Sequence, residues 1–277
     1  MDSHLLDRKA TRLRELHRGP SILILVNVWD VAGARLIESM GLPAVATSSA
    51  AVARSLGYPD GEHISRGEML GVVGRIADAV KVPVTADMEA GYGKTPEGMA
   101  GTARELLEAG AVGLNLEDSY QESRLVDLSL QRQKLIALKD AARAEGVHVV
   151  LNARTDAYLL KAVDDDWRFQ EAVRRAKAYR DAGADCIFVP GLNDAATIRR
   201  LLEESPGPLN VLAAKGGLSV PELERLGVAR LSLGSGPARA ALAAFRRIAR
   251  EVLDHGTYHS MTEDTFTYEE IQQLFKA

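Results

Sequence analysis

The chain has almost no cysteine, no surplus of cations, no long apolar run and no Pro/Ser-rich linker. Its single cysteine, Cys186, excludes an intrachain disulfide framework and a zinc site built on thiolates. Lys and Arg number 34 against 38 Asp and Glu, a formal charge of −4 that gives no footing for general nucleic-acid binding. No apolar stretch approaches the ~20 residues of a membrane span. The first twenty residues mix Asp, Arg, His and Glu among their leucines, so no signal peptide is expected and a cytoplasmic location is. With no break in composition, one domain is expected, and 277 residues come close to the ~250 of a single α/β barrel.

What is present is an alternation. Eight short runs rich in Val, Ile and Leu read as strands: 23–28, 43–48, 82–87, 112–117, 147–154, 185–190, 209–214 and 229–233. Between them, 68–80, 97–109, 130–145, 167–182, 195–204 and 237–253 place apolar residues at helical spacing. Local chemistry marks the ends. Ser65–Glu68 and Ser219–Glu222 are capping boxes, Thr95-Pro96 starts a helix, and Gly110 and Gly183 each end one. Eight strands alternating with helices predict a (β/α)8 barrel over an open doubly wound sheet. An extra helix is expected at 5–17. The single barrel is expected to span 1–254, and 255–277 to form a linker and helix. That tail carries Tyr258, Phe266, Tyr268 and Phe275, four of the twelve Phe and Tyr residues, to pack on its own barrel or on a neighbouring subunit.

In such a barrel, chemistry belongs at the carboxyl ends of the strands. Alternation puts Asp87 and Glu89 on the same side of the third strand, and Asn115 and Glu117 inward on the fourth. Three carboxylates on one rim, with no lysine among them by pattern, call for a hard divalent cation; oxygen ligands suit Mg2+ or Mn2+. The fifth strand adds Asn152, Arg154 and Asp156 on one face. Arg154 is suited to a substrate carboxylate, or else to an ion pair with Asp156 or Glu117. Ser48, Ser49 and Ala50 end the second strand with small groups that let an anion approach. Trp29 follows the first strand and is expected at the pocket. Leu233-Gly-Ser-Gly236, with Ala214-Lys-Gly-Gly217, offers either a phosphate loop or simple turns.

Taken together, Asn27-Val-Trp-Asp30 with Ala34-Arg35, Ala46-Thr-Ser-Ser49, Leu56-Gly-Tyr-Pro-Asp60-Gly, Ala86-Asp-Met-Glu-Ala-Gly-Tyr-Gly93, Asn115-Leu-Glu-Asp118 and Asn152-Ala-Arg-Thr-Asp156 resemble the isocitrate lyase / phosphoenolpyruvate mutase superfamily. The resemblance runs from about residue 27 to 246. It implies a Mg2+ cluster of Asp60, Asp87, Glu89 and Glu117, with Asp87 the direct ligand. It also implies that Ser48, the Ser49-Ala50 backbone and Arg154 hold the substrate, and that pairs exchanging a C-terminal helix assemble into a dimer or tetramer. Isocitrate and 2-methylisocitrate lyases carry Lys-Cys-Gly-His on the loop after the fourth strand. Here that stretch is Ser119-Tyr-Gln-Glu-Ser-Arg-Leu-Val-Asp127, with neither Cys nor His. The expectation is therefore a Mg2+-dependent lyase without that loop, cleaving a C–C bond beside a 2-oxo or 2-hydroxy carboxylate. Phosphonopyruvate P–C chemistry and a non-catalytic 2-oxo acid binder are the alternatives. Tyr92, Tyr120, Glu122 and Arg124 stand equally as proton donors.

Overall fold

The computed structural model describes residues 2–120, 124–161 and 163–276. Nine parallel strand segments form one sheet, and its two edges are Leu23–Leu25 and Asn27–Val28. These are halves of one strand interrupted at Val26, so the sheet closes on itself as an eight-stranded barrel. Around it run, in order, Val45–Thr47, Val84–Asp87, Gly113–Leu116, Val150–Arg154, Cys186–Phe188, Leu209–Leu212 and Arg230–Ser232, the second to eighth barrel strands. Every expected strand is present, the first split at Val26 and the others trimmed at one or both ends.

Helix boundaries follow the local signals. Ser65 and Glu68 close a full capping box on helix Arg66–Ala79, and Thr95 caps Pro96–Glu108 through the Gly98 amide. Gly110 and Gly183 take the left-handed backbone, with φ of +82° and +93°, where a helix turns into the next strand. The sequence pattern left several elements unforeseen, among them helix Val31–Ser39, the short helix His259–Thr262 within the expected linker, and two at the rim. Ser49–Ser55 is a short helix rather than an open loop, and Ser119–Tyr120 pairs with Arg124–Leu125 as a small antiparallel hairpin.

The N-terminal helix Ser3–Leu16 floors the barrel. Leu6, Ala10 and Leu13 are buried, and Leu13 fills the space above Gly113, where any Cβ would come within 2.7 Å of its Cδ2. Arg14 donates through Nε to Asp185 at 3.0 Å, and Asp7 receives the backbone and Nδ1 of His148. At the other end of the chain, helix Gly236–His255 has no buried residue. It leaves Leu242, Phe245, Val252 and Leu253 exposed instead of covering its own barrel. The last helix, Tyr268–Leu274, returns to helix Val31–Ser39, where Arg35 donates to the Leu274 carbonyl at 2.9 Å and lies over the Phe275 ring. Tyr258, Phe266 and Tyr268 remain exposed. Among the described residues, no helix is long and apolar enough to cross a membrane.

His17, just past the first helix, is buried and bonds the Leu13 carbonyl through Nδ1 at 2.8 Å. Burial, aided by the Arg230 charge, pulls its pKa down to about 4. Between an unfolded pKa of ~6.5 and that value, the unfolded chain takes up a proton that the folded chain refuses, so stability falls as the pH drops through this window. Wild type should lose on the order of 2–3 kcal/mol relative to His17→Gln between pH 6.5 and 4, measured by urea unfolding. Parallel pH profiles would remove this role.

Candidate active site

The carboxyl ends of the third, fourth and fifth strands meet at one rim. Register pairs Asp87 with Asn115 and Asn115 with Asn152, so the three stand side by side. Asp87 is held on both oxygens. Oδ2 accepts the Ser49 amide at 3.0 Å and its hydroxyl at 2.8 Å, while Oδ1 accepts the Asn115 amide at 3.3 Å. Ser48 is the N-cap of the short helix and, like Ser49 and Ala50, is buried. Of the expected anion-facing group, Ser49 therefore fixes Asp87, while the Ser48 hydroxyl accepts the Ala51 amide.

Glu89 reaches the site by a route alternation does not describe. The strand ends at Asp87, and Glu89, Gly91 and Tyr92 all have positive φ (49°, 96° and 55°). This tight turn is strained for Glu and Tyr, the kind of local cost that persists where the surroundings over-determine it. Glu89 accepts the Tyr92 hydroxyl at 3.0 Å and the Glu62 amide, and Glu62 in return accepts the Tyr92 amide at 2.6 Å. The Glu117 amide donates to the Glu89 carbonyl at 2.8 Å, so the third and fourth strands stay tied past their formal ends.

Arg154 forms both of the ion pairs that its position allowed. Nη1 lies 2.7 Å from Glu117, while Nε and Nη2 grip Asp156 at 2.5 and 3.2 Å. Asp156 also accepts the Ser119 hydroxyl, and its amide donates to Asp118. Asp118 is buried against Arg175 and the Tyr179 hydroxyl, at 3.1 and 2.6 Å. Arg175 also binds the Val126 carbonyl at 2.8 Å, which clamps the base of the hairpin. Three of the guanidinium's five donors on Arg154 are thus used, leaving one N–H on each of Nη1 and Nη2.

The acids feel one another. Burial raises the Glu89 carboxyl to about 7, against hydrogen bonds from Glu62 and Tyr92 and with help from Asp60 and Asp87. Burial likewise raises Glu117, opposed by Arg154 and reinforced by Asp156, Asp87 and Glu89. Asp60 is raised by burial and then by Asp87, although it is half exposed and only 3.9 Å from Arg54. The four carboxylates form one field of negative charge, as a cation site requires. Among the described residues, however, no three His, Cys, Asp or Glu converge tightly enough to enclose an ion directly. Such a donor set, all oxygen and loosely spaced, fits a hard dication that keeps several of its waters.

A cavity of about 690 Å3 opens beside the cluster, lined by Glu89 and Glu117 together with Glu62, Tyr92, Arg124 and Lys134. Lys134 corrects the reading that no lysine stands among the acids. It comes from helix Leu128–Ala144, is buried, and donates to the Ala90 carbonyl at 3.0 Å. Its signal was available, since it occupies the apolar stripe with Gln131, Leu135 and Leu138. Trp29 packs half-buried against the core and does not line this cavity. Glu122 and the side chain of Tyr120 lie outside the described residues. The Leu233 and Gly234 amides both donate to Asn27 Oδ1, at 2.9 and 2.8 Å, so that turn is already satisfied and offers them to no phosphate. Cys186 is buried in the sixth strand with its thiol pushed up to about 12 by burial, an inert packing group.

The family model described as phosphoenolpyruvate phosphomutase matches residues 13–253. The chain belongs to this family, and with it to the isocitrate lyase / phosphoenolpyruvate mutase superfamily of enzymes. It is 30% identical over 275 residues to 2-methylisocitrate lyase of Aeropyrum pernix, covering 97% of this chain and 88% of that one. A Burkholderia cenocepacia J2315 crystal structure, provisionally assigned as a lyase/mutase, superposes with a TM-score of 0.91 at 38% identity, over 99% and 98% of the two chains. The structure of an oxaloacetate acetylhydrolase with its product oxalate gives 0.84 at 25% identity, over 96% and 93%.

The turn that carries Glu89 gives a direct test. At Gly91 a Cβ would meet Leu116 Cδ1 at 2.6 Å and Met99 Cε at 2.7 Å, on a backbone that L residues avoid. Gly91→Ala should cost about 2–4 kcal/mol in thermal unfolding. Gly71→Ala, in open space on helix Arg66–Ala79, should instead gain roughly 0.5–1 kcal/mol. Equal effects at the two sites would refute the strain assignment.

Proposed function

We propose that this protein is a Mg2+-dependent lyase cleaving a C–C bond next to a 2-oxo or 2-hydroxy carboxylate. One observation carries the reading: the Asp87 charge adds to burial in raising the carboxyls of Asp60, Glu89 and Glu117 beside a cavity, with Arg154 already shared between Glu117 and Asp156. Asp87 would anchor the ion, and Asp60, Glu89 and Glu117 would hold its waters. When bound, the cation would supply Lewis-acid stabilisation of the negative charge that develops on substrate oxygens. Arg154 offers its two remaining N–H groups as a fork for a substrate carboxylate. Ser49 acts on the substrate side by holding Asp87 in place, Ser48 caps the short helix that carries it, and Trp29 packs against the core. The Tyr92 phenol stays protonated, because burial and the Glu89 charge raise it, and its hydroxyl stands at the cavity wall as a neutral hydrogen-bond donor to Glu89.

The similarity to a 2-methylisocitrate lyase and to an oxaloacetate acetylhydrolase supports small di- and tricarboxylates as substrates. The test is one panel run with and without Mg2+, with products identified: 2-methylisocitrate, isocitrate, oxaloacetate, phosphonopyruvate and homologous malates. We expect a Mg2+-dependent cleavage that Asp87→Ala lowers by at least about 100-fold. Turnover of phosphonopyruvate alone would move the assignment to P–C chemistry. Binding without any turnover would make the chain a 2-oxo acid binder.

We further propose that helix Gly236–His255 packs on a second copy of the chain. Its exposed apolar groups, Leu242, Phe245, Val252 and Leu253, lie 62%, 71%, 48% and 83% open, at helical spacing along one stripe. An apolar stripe of this length on a soluble helix signals a partner surface. Light scattering on a sizing column should give a dimer or tetramer, and Leu242→Glu with Phe245→Glu a smaller species. A monomeric wild type would overturn the exchange.

A further inference from the structure

The eighth strand places a charged residue where a barrel normally packs an aliphatic one. Arg230 is fully buried in the lumen, and among the described residues its guanidinium forms no ion pair. Nε donates to Ser232 Oγ at 3.1 Å, Nη2 donates to Asn115 Oδ1 at 3.2 Å, and Nη1 has no partner. Burial lowers its pKa only to about 10, so it stays charged near neutrality. A buried cation without a carboxylate is costly and calls for an explanation.

The explanation lies in the direction of the hydrogen bonds. Asn115 Oδ1 also accepts Asn152 Nδ2 at 2.7 Å, and Asn115 Nδ2 donates to Asp87 Oδ1 at 3.3 Å. An amide presents oxygen one way and NH2 the other, and nothing in Asn115 itself fixes which way round it sits. Asn152 does not fix it either, because its own Oδ1 is unpartnered and its amide can turn. Arg230 alone in the chain of contacts is donor-only. It therefore holds the Asn115 oxygen toward the barrel axis and the NH2 toward Asp87. With the amide reversed, an oxygen would face the carboxylate.

We infer that Arg230 is a positioning residue for Asp87, acting through the Asn115 amide. The inference rests on the reading of Asp87 as the anchor of a divalent cation. A cation behind a metal site should weaken metal binding by repulsion, whereas a residue that orients the ligand should strengthen it.

The test is Mn2+ binding without substrate, followed by the loss of the free-ion EPR signal, on the full chain. Arg230→Met, close in volume, should weaken Mn2+ at least 10-fold, while Arg230→Lys, still a donor-only cation, should keep most of the affinity. Asn115→Leu, with Arg230 in place, should weaken binding by a similar factor and serves if Arg230→Met does not fold. The double variant should be no weaker than Asn115→Leu. Binding by Arg230→Met that equals or exceeds wild type overturns the inference, as do fully additive losses in the double variant. A wild type that binds no Mn2+ overturns the metal reading together with it.

Discussion

Like charges on adjacent strand ends must be compensated or they will drive the strands apart, and this repulsion organises the upper half of the barrel. Asp87, Glu89 and Glu117 follow one another around the rim on the third and fourth strands, with Asp60 reaching in from a loop. The chain answers with dense anchoring. Ser49 spends both its amide and its hydroxyl on Asp87, Glu62 and Tyr92 bracket Glu89, and Arg154 bridges Glu117 to Asp156. These contacts fix the positions of the carboxylates without cancelling their charge. Rigid acids with charge to spare are what a weakly dehydrating dication can use, since it needs oxygens placed in advance more than it needs a closed cage.

The anchoring is also what ties chemistry to fold. Asp156 takes its amide bond from Asp118, and Asp118 is buried on Arg175 and Tyr179 of helix Asp165–Asp181. Through Arg175 the same contacts reach Val126 at the foot of the hairpin. A disturbance in that helix would therefore travel to Arg154 by way of fully buried, charge-assisted bonds, which tolerate little misplacement. The ends of the fourth and fifth strands, Val126 and this helix are thus joined by one set of buried bonds.

Much of this could be read from the sequence, and the parts that could not have physical reasons. Period-two alternation located Asn115, Asn152 and Arg154, because those residues sit in regular strand or directly continue it. It named Glu89 for the wrong cause, since the backbone there has already turned left-handed, with φ of +49°. Lys134 and Glu62 escaped because they arrive from a helix and a loop whose distance to the rim no spacing encodes. Lys134 nonetheless betrayed itself by interrupting an apolar stripe, and Arg230 by alternating inward with Ser232 around Leu231. Helix Gly236–His255 was visible as an amphipathic segment, but amphipathicity specifies only that an apolar stripe must be covered and leaves open by whose surface.

The two ends of the barrel show how environment assigns roles to the same residue type. At the floor, Asp185 is largely buried, yet Lys139 at 2.7 Å, Arg14 at 3.0 Å and the Leu151 amide hold its carboxyl below the usual range. At the rim, Asp60, Glu89 and Glu117 are pushed the other way, because burial there exceeds the cations and donors supplied. A carboxylate held low is locked into structure, since its charge is already matched and removing it leaves buried cations unpaired. Carboxylates held high keep an unmet demand for positive charge. That demand is costly to the resting fold, and such a cost is retained where a ligand relieves it. The end whose charges do not balance is therefore the one that a bound cation would stabilise, whereas the floor's acid is already matched.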